Sequence, residues 1–183
     1  DAIIHNMVDE EFIREMDNGN FVITNMGALL LAKDLNVFAH LKRKAIRVIK
    51  YKGNGKTNAI REQVFTKGYA IQFDDITDYI MTLIPQEEEI DGGRRQEHIM
   101  FPRKAIREML GNMIIHQDLT AHGSGPVMEI FDMKVEASNP GSLLVEVNRI
   151  IDTVPHSRNE AMASFLRVVR ICEERGSGFD RME

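Results

Sequence analysis

The residues best suited to chemistry lie between Arg103 and Asp118, where Glu108, Asn112 and His116 recur at i, i+4 and i+8. On a helix that spacing aligns them as one polar stripe. A carboxylate one turn before a carboxamide suits a Mg-nucleotide site. Glu108 is the candidate general base, able to orient and deprotonate a water, and Asn112 can offer an oxygen to a hard cation that bridges phosphates. The same stripe also has a plain reading, as the solvated face of an amphipathic helix.

Two later segments gain meaning from their order. Asn139-Pro140-Gly141 follows a β-rich stretch, where Gly141 lets the backbone approach a flat ligand and Asn139 can hydrogen-bond a base edge. It is equally good turn chemistry. Further on, Glu174-Arg175-Gly176-Ser177-Gly178 places two glycines where a helix ends. Backbone N–H groups of Gly176, Ser177 and Gly178 can cradle phosphates there, although Gly-x-Gly is also a common helix C-cap.

These residues must be positioned by a scaffold, and the pattern of apolar residues predicts one. Val8, Phe12, Ile13 and Met16 predict a helix over Asp9 to Asp17, stopped by Asn18-Gly19. Phe21-Val22-Ile23 reads as a strand, and Thr24 or Asn25 can cap a buried helix over Met26 to Lys33. Ala45 to Tyr51 and Gln63 to Phe73 read as strands around Gly53-Asn54-Gly55. Ile76, Tyr79, Ile80, Leu83 and Ile84 predict a helix ended by Pro85, after which Glu87-Glu88-Glu89 reads as an exposed loop. Glu97 to Phe101 reads as a strand, Pro102 opens a helix to about Gln117, Val127 to Asp132 and Val135 to Ser138 form a hairpin, and Asn159 to Glu174 is helical. The expected fold is α/β (α+β), a two-layer sandwich with a mixed sheet.

Composition agrees with one soluble globular domain: 183 residues, 43% hydrophobic and 28% charged, which excludes intrinsic disorder and a collagen-like chain. Apolar runs such as Gly27 to Ala32 fall far short of the roughly 20 residues of a bilayer span. The single Cys172 forms no internal disulfide and suits a reducing compartment, so the expected location is cytoplasmic. A start at Asp1 and an end just after a Gly-rich turn lead us to expect a piece of a longer multidomain protein. A net charge of -5 argues against a surface that is wholly a nucleic-acid footprint. Yet Leu41 to Ala70 sets nine cations against the single Glu62. They are either the solvated face of a strand pair or, through Lys42 to Lys56, a phosphate-backbone contact.

The segment Phe101-Pro102-Arg103-Lys104-Ala105-Ile106-Arg107-Glu108-Met109-Leu110-Gly111-Asn112-Met113-Ile114-Ile115-His116-Gln117-Asp118 resembles the YPxxAlrEalxNAixHRDY stretch of a group of prokaryotic regulators. These are described as RecG C-terminal-like, as ATP-dependent helicases, or as transcriptional regulators in which a Schlafen-AlbA domain precedes a GHKL-like ATPase domain. The resemblance continues through Glu129-Ile130-Phe131-Asp132, Ser138-Asn139-Pro140-Gly141, Ser157-Arg158-Asn159 and Glu173 to Gly178, while Thr24 to Leu31 looks like the stretch linking the two domains.

The resemblance implies a single GHKL-like domain over 1–183, with 1–73 as a linking, β-rich part and 74–183 as the nucleotide part. On a Bergerat-type fold, Glu108 would be the general base and Asn112 the Mg ligand, with His116 on the same stripe. Asn139 and Gly141 would stand at the adenine-recognising position, and Gly176, Ser177 and Gly178 on the phosphate side. The implied cofactors are ATP and Mg, and the implied partners are an adenine nucleotide, DNA through flanking domains, and a second copy of the chain. Asn139 stands where active ATPases carry Asp, Leu143 replaces the second Gly, and Gln117 and Leu119 replace the Arg and Tyr of His-Arg-Asp-Tyr.

Other chemistries fit less well. Without Gly-x-x-x-x-Gly-Lys-Ser/Thr the chain holds no P-loop motor, and Gly123-Ser124-Gly125 fails the spacing of a nucleophile elbow. His116 and His122, six apart without a cysteine cluster, do not form a zinc motif. Two function classes follow: a regulatory adenine-nucleotide domain with weak Mg-dependent ATPase activity, or a nucleotide-free interaction or dimerisation module that supports a DNA-binding domain.

Overall fold

Ile46 and Val48 of strand β3 (Ile46–Tyr51) face one large apolar core, while Ile49 and Tyr51, offset by one residue, face the other side of the sheet. The same alternation places Met128 and Ile130 of β7 (Val127–Ile130) in the large core and Phe131 on the far side. The computed structural model describes residues 2–91, 94–141 and 157–172. Before β3 come helix α1 (Ala2–Asp9), a hairpin of β1 (Ile13–Glu15) and β2 (Phe21–Ile23), and α2 (Asn25–Leu31). After it come β4 (Ala59–Phe65), α3 (Tyr69–Leu83), a hairpin of β5 (Gln86–Asp91) and β6 (Arg94–Ile99), α4 (Arg103–His116), β7, β8 (Val135–Ser138) and α5 (Glu160–Val168).

The central sheet has the order β4-β3-β7-β8. β3 runs antiparallel to β4 but parallel to β7, with Arg47 opposite Val127 and Lys50 opposite Ile130, and β8 returns antiparallel to β7. Leu29 and Leu30 of α2, Phe73, Ile76 and Ile80 of α3, Ile106, Leu110 and Ile114 of α4, and Leu166 of α5 pack on the Ile46 side of that sheet. This is the expected two-layer α+β sandwich with a mixed sheet. Each such fully buried aliphatic side chain contributes about 1.5–3 kcal/mol of transfer free energy.

Thr24 caps α2 as expected, accepting from the Gly27 N–H at 3.0 Å. Several other expectations are corrected. Asp9 to Asp17 is not a helix: α1 ends at Asp9, Glu11 takes φ +57°, and Ile13 pairs with Ile23, so Asn18-Gly19 turns a hairpin instead of ending a helix. The strand expected over Gln63 to Phe73 stops at Phe65, because Tyr69, Phe73, Ile76 and Ile80 share one buried helical face. Glu87-Glu88-Glu89 forms strand β5, with Asp91 opposite Arg94, and is not a loop. The last helix ends at Val168, and Arg170 at φ +59° breaks it.

Candidate functional site

Helix α4 carries the candidate stripe, and three segments fix its C-terminal end. Gln117 leaves the helix in an extended conformation. Asn159 then closes the exposed carbonyls: its backbone N–H and its side-chain Nδ2 each donate to the Ile115 oxygen at 3.1 Å, and Nδ2 also donates to the Gln117 oxygen at 2.9 Å. The Asn139 side chain donates from Nδ2 to the Met113 oxygen at 3.1 Å. The Asn139-Pro140-Gly141 turn is thereby seated on the helix that holds Glu108 and Asn112.

Along the helix, Asn112 Nδ2 donates to Glu108 Oε1 at 3.2 Å, and both side chains are half-buried. Because the N–H side of the Asn112 amide faces Glu108, its oxygen is left to face elsewhere, as a ligand to a hard cation requires. Asn139 is arranged alike, with its amide N–H on Met113 and its oxygen on the opposite side of the amide. His116 stands at the exposed end of the stripe. Desolvation of its ring, and secondly the Arg158 guanidinium nearby, hold its pKa below the usual histidine value. Gly176, Ser177 and Gly178 lie outside the described residues. Among the described residues no group of three His, Cys, Asp or Glu side chains could hold a metal ion, so Mg here would depend on Asn112 together with phosphate oxygens.

Asp118 links the helix end to the turn. Its backbone N–H donates to the Pro140 oxygen at 2.8 Å, and Gly141, at φ +120°, leaves no room for a side chain against it. The Asp118 carboxylate accepts from the Thr120 hydroxyl at 2.6 Å and the Thr120 N–H at 2.9 Å, with Arg158 Nη1 at 3.5 Å. Those Thr120 bonds, and then the guanidinium, hold its pKa below the usual carboxylate value. Beneath it lies Lys44, only 4% exposed, whose Nζ donates to the Asp118 and Ala121 oxygens at 3.1 and 2.7 Å. Burial lowers the Lys44 pKa, against the pull of Asp118.

The basic segment is therefore not one solvated face. Lys44 and Lys50 are buried, Lys50 donating to the Phe131 oxygen at 3.1 Å, while Arg47 pairs with Glu62 and Lys56 with Glu129 and Glu136. Sequence reasoning missed Lys44 because charge density says nothing about which cation in a run turns inward. Arg158 and Asn159 stand in the sequence only as part of the family resemblance, and their contacts to the end of α4 join segments about 40 residues apart that local spacing does not reveal.

At the other end of α4 a cavity of about 420 Å³ opens beside Glu108. Arg103, Lys104 and Arg107 line it from the helix, and Arg170, Ile171 and Cys172 from the segment after α5. That segment comes close because residue 111 is glycine: a Cβ there would stand 3.0 Å from Cys172 Sγ. Burial, and secondly the Glu108 charge, push the Cys172 thiol up to about 11, which leaves it protonated and unreactive.

The fold is shared with a solved structure, that of the DIP2311 protein from Corynebacterium diphtheriae, at a TM-score of 0.69 and 21% sequence identity. The match covers 100% of this chain and 37% of that one, so the chain spans little more than a third of that protein's length. No curated protein matches it. Residues 123–183 match the family described as "Putative ATP-dependent DNA helicase recG C-terminal". Over its C-terminal third, the chain is thus similar to RecG C-terminal-like ATPase domains.

Proposed function

We propose that this chain is an adenine-nucleotide-binding regulatory domain of a transcriptional regulator, with a GHKL-like fold and weak Mg-dependent ATPase activity. One observation carries the reading: the Asn139-Pro140-Gly141 turn is hydrogen-bonded to α4 at Met113, just past the Glu108–Asn112 pair. The base would lie on the turn, where Asn139 Oδ1 accepts from an exocyclic amino group. Asn112 Oδ1 would hold Mg, which when bound neutralises charge on the phosphates. Glu108 would orient a water and take its proton. His116 would border the base end, and Gly176, Ser177 and Gly178 would supply backbone N–H groups to phosphate. In this reading residues 74–183 form the nucleotide part and 1–73 a linking part, and a Schlafen-AlbA or other flanking domain contacts DNA.

Calorimetric titration of ATP, ADP and AMP, with and without Mg, into the chain and its Asn112→Ala variant tests the reading. Binding that requires Mg and is lost in the variant supports it. A folded sample that gives no heat with any nucleotide refutes it.

A second reading, a nucleotide-free interaction or dimerisation module, is favoured by the exposed apolar residues of the N-terminal hairpin, Met16, Phe21, Val22 and Ile23. Self-association in sedimentation across a concentration series, together with no nucleotide heat in the titration above, is the result that favours it over the first.

A further inference from the structure

We propose that Asn54 is a spontaneous modification site: in the folded chain its side-chain amide cyclises onto the Gly55 nitrogen and hydrolyses to aspartate or isoaspartate. The chain carries two Asn-Gly pairs, Asn18-Gly19 and Asn54-Gly55. In both, attack on the side-chain carbonyl closes a five-membered ring, and the glycine brings no Cβ to hinder its nitrogen. Both asparagines are exposed, one in the loop of the β1–β2 hairpin and the other in the loop between β3 and β4. Their side-chain oxygens are placed alike. Asn18 Oδ1 accepts from the Asn20 N–H at 3.0 Å, and Asn54 Oδ1 accepts from the Met133 N–H at 3.1 Å. A donor at that oxygen stabilises the negative charge that attack on Cγ creates.

What separates the two pairs is the nucleophile. The Gly19 N–H donates to the Met16 oxygen at 2.9 Å, and the Met16 N–H donates to the Asn20 oxygen at 2.8 Å, so the Gly19 nitrogen is released only when that turn opens. By contrast, the Gly55 N–H makes no hydrogen bond among the described residues. Around Gly55 the space is open, since an added Cβ would meet nothing closer than Thr57 Oγ1 at 4.0 Å. The electrophile is meanwhile held over the β7–β8 turn, where the Gly53 N–H also donates to Asp132 Oδ2 at 2.7 Å and the Asp132 N–H to the Gly53 oxygen at 3.2 Å. In the reaction the Gly55 N–H loses its proton to hydroxide, the nitrogen bonds to Asn54 Cγ, and the amide nitrogen leaves as ammonia, giving a succinimide. Water then cleaves one of the two ring C–N bonds. Cleavage at Cγ leaves aspartate, and cleavage at the main-chain carbonyl leaves isoaspartate. The sum is a water consumed and an ammonia released, with nothing oxidised or reduced. Aspartate keeps an acceptor, now charged, for the Met133 N–H. Isoaspartate instead inserts a methylene into the main chain of the loop and moves that acceptor away.

The test incubates the chain in mildly alkaline buffer, folded and in urea, alongside its folded Gly55→Ala variant. Peptide mass mapping follows the amide-to-acid mass gain at residues 18 and 54, and chromatography separates the aspartate and isoaspartate peptides. In the folded chain residue 54 converts roughly tenfold faster than residue 18, the factor that one hydrogen bond on the attacking nitrogen accounts for. In urea, where that bond is gone, the two convert at similar rates. Gly55→Ala, which the open space at residue 55 accommodates, keeps its melting temperature and slows conversion at residue 54 alone. Conversion at residue 54 no faster than at residue 18 in the folded chain overturns the proposal. So does an equal preference for residue 54 in urea, because local sequence would then set the order. A folded chain that stays unmodified at residue 54 while urea converts it also overturns the proposal, and shows that the Met133 contact protects the amide.

Discussion

Asp118 and Gly141 meet without space between them: a Cβ added to Gly141 would stand 2.7 Å from the Cβ of Asp118. The end of the candidate catalytic helix and the turn proposed to hold the base are thus in register through one residue that has no side chain. Gly141→Ala must both shift this contact and hold alanine at φ +120°, so it destabilises the fold by about 1–3 kcal/mol. A lower urea midpoint with an unchanged slope is the expected result.

Lys44 is the second support of that junction. In Lys44→Met the stem still packs, but the Asp118 and Ala121 oxygens lose their donor. Leaving buried acceptors unpaired costs about 1–3 kcal/mol. Thermal unfolding of the variant checks this, and stability equal to the unaltered chain would show that water replaces the ammonium.

Asn159 closes the end of α4 from a distant segment. Asn159→Ala removes donation to Ile115 and Gln117 and costs about 1 kcal/mol for each hydrogen bond lost. Amide exchange should quicken first in the last turn of α4, while amides of β3 and β7 keep their protection.

The depressed pKa of His116 makes stability depend on pH. Folding disfavours its protonated form, so the unfolded chain binds more protons between the two pKa values and stability rises with pH. The contribution is complete above the unfolded value of about 6.5 and is lost as pH falls through the lower folded value. His116→Gln should therefore flatten the fall of melting temperature between pH 7.5 and pH 5.5. An equally steep fall in the variant assigns the effect to other groups.

Glu108→Gln separates binding from chemistry. Glutamine keeps an oxygen for the Asn112 amide but cannot take a proton from water. Nucleotide affinity stays within a few-fold of the unaltered chain, and any phosphate release in a hydrolysis assay disappears.

Much of this scaffold is legible in the residues. The helix over α4, the Thr24 cap, the strands β3, β7 and β8 and the mixed two-layer arrangement follow from apolar spacing and turn chemistry. The helix misplaced over Asp9 to Asp17 has a physical origin. Phe12 and Ile13 sit at helical spacing from Val8 and Met16, yet β1 is pinned by cross-strand pairing that local periodicity does not encode. Tyr69 to Phe73 is β-rich in composition, and only the shared burial of Tyr69, Phe73 and Ile76 marks it as helical. Within the site, the stripe was visible because its spacing is local. The contribution of Lys44 and the cation wall that includes Arg170 depend on contacts between segments far apart in sequence. A signal for the wall was present all the same, in three cations following Pro102 with no acid among them.

The contacts that fix the end of α4 span long stretches of chain: Lys44 to Asp118 over 74 residues, Asn159 to Gln117 over 42 and Arg158 to Asp118 over 40. Such contacts close long loops, and the parallel β3–β7 pairing that aligns them is likewise non-local, so we expect this junction to form late in folding, after the local helix of α4. A partly folded chain would have the helix but not the seat for the turn. Any ligand held between them would therefore count only complete molecules, and its occupancy would measure how much of the population has finished folding.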